Sequence, residues 1–196
     1  MNLPNKLTVA RMLLTVVFVI VFYLPIPYRI TLALIVFGIA SITDYFDGEI
    51  ARKRGLVTNF GKLLDPVADK VLMCAALVLL AVAHPDLLPG WTVVVVLARE
   101  FIVTGIRLIA ATAGKVLAAE KLGKHKTAWQ IITALYFLIR DAASEPINKG
   151  WLEPVFKNWP QTAAVFGVIC VVMMTALTLI SGLSYFWKNR SLFADA

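Results

Sequence analysis

Residues 162–187 contain no Asp, Glu, Lys or Arg. A helix needs about 20 predominantly apolar residues to cross a bilayer, so this run alone directs the chain toward a membrane. Five more apolar stretches, at residues 8–24, 29–50, 66–84, 91–113 and 126–141, bring the expected spans to six. Pro25 and Pro27, then Pro85, Pro89 and Gly90, then Pro146, Gly150, Pro154 and Pro160 punctuate alternate turns, which therefore share one side. With 60% hydrophobic and 16% charged residues, the composition lies outside that of ordinary soluble domains. The expected fold is an all-α integral membrane protein of six transmembrane helices, forming one domain over residues 1–196 with no internal repeat or low-complexity linker.

The cations set the expected topology, because short cytoplasmic loops carry the Lys and Arg excess. Lys6, Arg11, Arg52, Lys53, Arg54, Lys62, Lys70, Lys115, Lys121, Lys124, Lys126, Lys188 and Arg190 fall on the side that holds both termini. Only Arg29, Arg140, Lys149 and Lys157 fall opposite, with Arg99 and Arg107 inside a span. Both termini are therefore expected in the cytosol. A formal charge of +7 suits an anionic lipid surface and an anionic substrate, and no nucleic-acid motif is present. Met1 to Tyr23 has the basic start and apolar run of a secretory signal, but no small-residue cleavage site precedes Pro25, so a retained first span is expected. Cys74 and Cys170 stand singly in predicted spans and read as packing residues.

Against this background, Asp44, Asp47, Asp65 and Asp69 need an explanation, since ionised carboxylates beside apolar runs are costly without cations or solvent. Asp44, Asp47, Gly48, Ala51 and Arg52 are spaced to share one helical face, and Asp65 and Asp69 share a face on the next helix. A short basic connection lets all four carboxylates converge at the cytosolic end. Hard oxygen donors at that density fit Mg²⁺, Mn²⁺ or Ca²⁺ rather than zinc, and a pair of divalent cations is expected. Gly48, Ala51 and Gly61 leave room for a ligand to approach closely, and Arg52 offers phosphate a planar fork of donors. Together these features point to a diphosphate substrate. The plainer alternative makes Asp65 an N-cap before Pro66 and leaves Arg52, Lys53 and Arg54 to lipid headgroups.

The pattern Asp44-x-x-Asp47-Gly48-x-x-Ala51-Arg52, then eight residues, then Gly61-x-x-x-Asp65-x-x-x-Asp69 resembles the complete signature of the CDP-alcohol phosphotransferase family. The resemblance implies a homodimer of six-helix subunits that exchanges CMP on a CDP-linked lipid or alcohol for an acceptor hydroxyl. It implies that Asp44, Asp47 and Asp65 bind metal and that Asp69 is the general base while lying near metal. It further implies that Gly48, Ala51, Arg52 and Gly61 contact the CDP moiety.

Three shorter stretches narrow the resemblance. NLPNKLTVAR near the start, AREFIVTGIR from Ala98 to Arg107 and GKHKT from Gly123 to Thr127 are similar to those of the bacterial phosphatidylglycerophosphate synthases. That branch implies CDP-diacylglycerol as donor, sn-glycerol 3-phosphate as acceptor and the bacterial cytoplasmic membrane as location, with the active site facing the cytosol. An anionic acceptor also suits the residues. Arg99 and Arg107 lie in a span, where an arginine needs a partner or a wet cavity, and Lys124 and Lys126 follow at the cytosolic entry to the next span. Those four are the candidate ligands of the acceptor's phosphate. The alternative pairs Glu100 with Arg107, seven residues on, and leaves the lysines to topology alone.

Asn5, Thr8 and Arg11 suit either a short surface helix covering the nucleotide or a cap and anchor for the first span; Asn5 is a candidate CDP-lipid contact. His125 and His84 read as surface residues. Trp91, Trp151, Trp159, Phe186 and Trp187 read as interfacial anchors. The rivals are the same chemistry on inositol phosphate, serine or phosphatidylglycerol, an intramembrane prenyltransferase, and a divalent-cation transporter. Prenyltransferases separate their aspartate motifs widely, and a transporter needs polar groups along the far halves of the spans, where few occur here.

Overall fold

A computed structural model describes residues 3–54, 59–112 and 121–190; within them, residues 3–7, 44–54, 59–67, 69, 112 and 121 are described as backbone only. Lys115 lies outside the described residues. Six long helices account for most of the described chain: α1 Leu3–Tyr23, α2 Arg29–Arg54, α3 Asn59–Ala83, α4 Gly90–Thr112, α5 Lys121–Ala143 and α7 Pro160–Lys188. A five-residue helix, α6 Glu153–Lys157, and a 3₁₀ turn at Pro146–Asn148 lie between α5 and α7. The breaks after α1, α3 and α5 coincide with the proline-rich punctuation. α3 departs from expectation at its start: it begins at Asn59, so Asp65 and Pro66 are helical residues inside it and Asp65 is no N-cap.

The chain divides into two units, residues 1–80 with 134–163, and residues 81–133 with 164–196. In the first, α1 and α2 form an antiparallel pair with a seam of three- and four-residue steps. Thr8, Arg11, Thr15, Phe18 and Phe22 are buried on α1, and Ile30, Ala33, Phe37 and Ala40 on α2. That spacing keeps a straight stripe facing a neighbouring helix. Phe18 anchors the seam, its ring centroid 6.2 Å from that of Phe22 and 5.9 Å from that of Phe37. At the turn, Arg29 donates to the Phe22 carbonyl at 3.3 Å and so occupies an acceptor freed by the end of α1. The same end of this hairpin is also held from afar: Glu145 accepts from the amides of Ile30 and Thr31, the first turn of α2.

In the second unit, α4 buries Thr92, Val96, Val103, Ile106 and Ala110. α7 buries Gly167, Val171, Met174, Thr178, Ser181 and Tyr185, again in steps of three and four. The outward residues of α7 are Val165, Phe166, Val168, Ile169, Val172, Leu179, Ile180 and Leu183. A soluble helix hides its apolar stripe and shows its polar one. Here hydroxyls are turned inward and large apolar side chains outward, as a hydrocarbon surround requires. The buried hydroxyls are satisfied within the helix, Thr175 by the Val171 carbonyl at 2.8 Å and Thr178 by that of Met174 at 2.6 Å. Among the described residues, α7 alone is long and apolar enough throughout to cross a membrane; α1, α2 and α3 carry shorter apolar stretches at Thr8–Tyr23, Arg29–Thr43 and Lys70–Ala83.

Candidate active site

α2 is continuous from Arg29 to Arg54, so Asp44, Asp47, Gly48, Ala51 and Arg52 all ride on one helix. At about 100° per residue they fall within an arc of roughly 140°. The stripe of Ala33, Phe37 and Ala40 that packs against α1 continues by the same steps through positions 44, 47 and 51. Counting outward from the Phe18–Phe37 contact, Arg11 stands at about the height of Asp44, and Thr8 at about that of Asp47. Both α1 residues are buried, each 4% exposed. On α3, positions 65 and 69 share a register stripe with the buried Ala68 and Leu72. The helices thus give each aspartate pair the shared face that oxygen coordination of a divalent cation needs. The side chains of these four aspartates, and of Asn5, Ala51 and Arg52, lie outside the description, and Gly48 and Gly61 are placed by their backbone alone.

The second unit gathers part of the expected cation set. Glu100, on α4, forms an ion pair with Lys126 of α5, a side chain only 5% exposed. Its carboxylate also lies 3.5 Å from Arg99 Nη1 and accepts from Gln130 Nε2 at 3.5 Å. Among the described residues, two cations and an amide therefore share this carboxylate. Arg107 does not join it: among the described residues Arg107 turns to Tyr185 of α7, donating from Nε to the phenol oxygen at 3.3 Å with its guanidinium carbon 5.4 Å from the ring centroid. Glu100 thus chooses Lys126 over the expected alternative, Arg107. A partner on a second helix needs no alignment along α4. Lys124 and His125 are exposed on α5.

Sequence reasoning missed three participants. Gln130 and Tyr185 are ordinary residues in apolar runs, and only packing brings them to Glu100 and Arg107. Gly182 was passed over as one glycine among the 11 in the chain; a Cβ there would meet the Arg99 side chain at 3.0 Å.

Comparison with known proteins places the chain in a family. A family profile described as CDP-alcohol phosphatidyltransferase matches residues 1–187. The chain belongs to the CDP-alcohol phosphatidyltransferase family, as the Asp44–Asp69 signature led us to expect, and is a membrane-bound enzyme of that class. Its relatives include proteins named CDP-diacylglycerol–glycerol-3-phosphate 3-phosphatidyltransferase. That of Bacillus subtilis is 42% identical over 96% of this chain and 95% of its own. That of Rickettsia bellii is 39% identical over 98% and 97%, and that of Shigella flexneri 34% identical over 99% and 98%.

Proposed function

We propose that this enzyme transfers the phosphatidyl group of CDP-diacylglycerol to the 1-hydroxyl of sn-glycerol 3-phosphate, giving phosphatidylglycerophosphate and CMP. The observation that carries this reading is the near-complete, end-to-end similarity to relatives of that name. Asp44, Asp47, Asp65 and Asp69 hold two divalent cations, Mg²⁺ or Mn²⁺, and their hard oxygen donors favour those ions. When bound, the cations neutralise the diphosphate and the developing charge on the departing CMP. Asn5, Gly48, Ala51, Arg52 and Gly61 seat the CDP moiety, with Arg52 donating to its phosphate oxygens.

Asp69 takes the proton from the acceptor hydroxyl. The freed oxygen attacks the phosphorus on the lipid side of the diphosphate, and the bond from that phosphorus to the CMP oxygen breaks. Arg99, Arg107, Lys124 and Lys126 are the acceptor's phosphate ligands, and the gathering of Arg99 and Lys126 around Glu100 supports the assignment of those two. Six helices span the bacterial cytoplasmic membrane with both termini and the site on the cytosolic side, in a homodimer; the cation asymmetry supports the orientation.

The test is CMP release by purified protein from CDP-diacylglycerol and Mg²⁺, with and without sn-glycerol 3-phosphate. Release that depends on the acceptor and yields phosphatidylglycerophosphate is expected. Release only with inositol phosphate, serine or another alcohol would move the acceptor and keep the chemistry. Silence with every acceptor would overturn the reading.

A further inference from the structure

The stem of Arg99 lies in a slot that exists because residue 182 of α7 has no side chain. A Cβ built on Gly182 would sit 3.0 Å from Arg99 Cγ and 4.0 Å from its Cβ and Nε. That is tighter than ordinary carbon contacts, so the arginine stem would have to yield by a few tenths of an ångström. Gly182 has a helical backbone in the middle of the last turns of α7. Its own conformation therefore does not call for glycine, which is among the poorest helix formers. Close approach of another group is the remaining physical reason for it. Beyond the slot, the guanidinium meets the Glu100 carboxylate, which Lys126 and Gln130 also engage. The side chain is thus fixed at its stem by α7 and at its head by Glu100.

We infer that Gly182 is a positioning residue for acceptor recognition: by leaving the slot open, it sets where the Arg99 guanidinium stands beside Glu100 and hence how it meets the acceptor's phosphate. The inference rests on the proposed reading of Arg99 as a phosphate ligand. A guanidinium recognises phosphate through a planar fork, so its affinity depends on aim as well as charge. A few tenths of an ångström at Cγ is magnified at the head, three bonds further out.

The experiment compares wild type, Gly182→Ala, Arg99→Ala and the double variant, measuring KM for both substrates and the melting temperature in detergent with Mg²⁺. The acceptor dissociation constant from calorimetric titration with sn-glycerol 3-phosphate serves wherever turnover is too slow. Gly38→Ala is the control, because a Cβ on that α2 glycine meets nothing within 4 Å. Gly182→Ala is expected to raise the acceptor KM about tenfold and leave the CDP-diacylglycerol KM unchanged. In the Arg99→Ala background it is expected to add nothing, since the occupant of the slot is gone. An acceptor KM like that of the control, an equal rise for both substrates, or full additivity with Arg99→Ala would overturn the inference. An Arg99→Ala variant with wild-type acceptor affinity would instead overturn the assignment of Arg99, and the inference with it. If Gly182→Ala does not fold, the double variant decides: it regains the melting temperature of Arg99→Ala if the arginine is what the Cβ meets, and remaining unfolded overturns the inference.

Discussion

Glu145 secures Thr31 across 114 residues of sequence, its Oε2 accepting both the amide at 2.9 Å and the hydroxyl at 2.5 Å. Its Oε1 takes the neighbouring Ile30 amide at 2.6 Å. Asn148 completes the arrangement, donating from Nδ2 to Thr31 Oγ1 at 2.8 Å and to the Ala142 carbonyl at 2.7 Å. The first amides of any helix lack partners within it, and negative charge at that end is favourable. A carboxylate from the turn after α5 therefore does for α2 what a local cap residue does elsewhere.

Removing that carboxylate leaves buried donors unsatisfied. Glu145→Ala is expected to destabilise the protein by about 1.5–3 kcal/mol, the range for hydrogen bonds to a charged group. The lowered midpoint of thermal or denaturant unfolding in detergent would show it. Glu145→Gln should fall between, because its amide nitrogen cannot accept one of the donors. A Glu145→Ala midpoint equal to wild type would mean that water replaces the cap.

The Glu100–Lys126 pair gives a second stability prediction with a different signature. Both side chains are well shielded, 13% and 5% exposed. Removing one partner of such a pair leaves a charge without compensation and typically costs about 3–5 kcal/mol. Arg99 and Gln130 would remain nearby, so Glu100→Gln, which takes this carboxylate from both Arg99 and Lys126, is expected to cost at least as much as Lys126→Met. The double variant should recover part of the loss. Unfolding midpoints for all four proteins form the cycle; strict additivity would show that the pair contributes no coupling.

The sequence made the helices legible because each carries an apolar stretch with proline near one end, and it made the aspartate pattern legible because helical spacing converts sequence into register. Asp65 and Asp69 share one helix as their spacing led us to expect; what fails is the alternative of Asp65 as an N-cap before Pro66, because the helix has already run from Asn59. What stayed hidden depends on contacts between distant segments. Nothing about Glu145 or Asn148 distinguishes them locally from other polar turn residues, although together they hold Thr31. Likewise Gly182 and Tyr185 acquire meaning only when α7 lies beside α4. The Glu100 pairing failed for the same reason: seven residues along one helix suggested Arg107, but a lysine on α5 comes closer.

Metal dependence follows from the donor set. Treatment with EDTA is expected to abolish CMP release, and Mg²⁺ or Mn²⁺ to restore it. Zn²⁺ should restore little, since the motif offers four carboxylates and neither Cys nor His. Activity fully retained in EDTA after exhaustive dialysis would remove the metal assignment from Asp44, Asp47, Asp65 and Asp69.

Asp69→Asn separates the base from the ligands. The substitution keeps the shape of the side chain and an oxygen donor but removes its ability to accept a proton at neutral pH. As a lost general base, it should lower kcat by about 10²- to 10⁴-fold. Binding of CDP-diacylglycerol in the presence of Mg²⁺ should largely survive, because Asp44, Asp47 and Asp65 retain their carboxylates. A melting temperature near wild type would place the defect in chemistry. If lipid and metal binding vanish with turnover while the fold persists, Asp69 is primarily a metal ligand, and the acceptor's proton must go to another group.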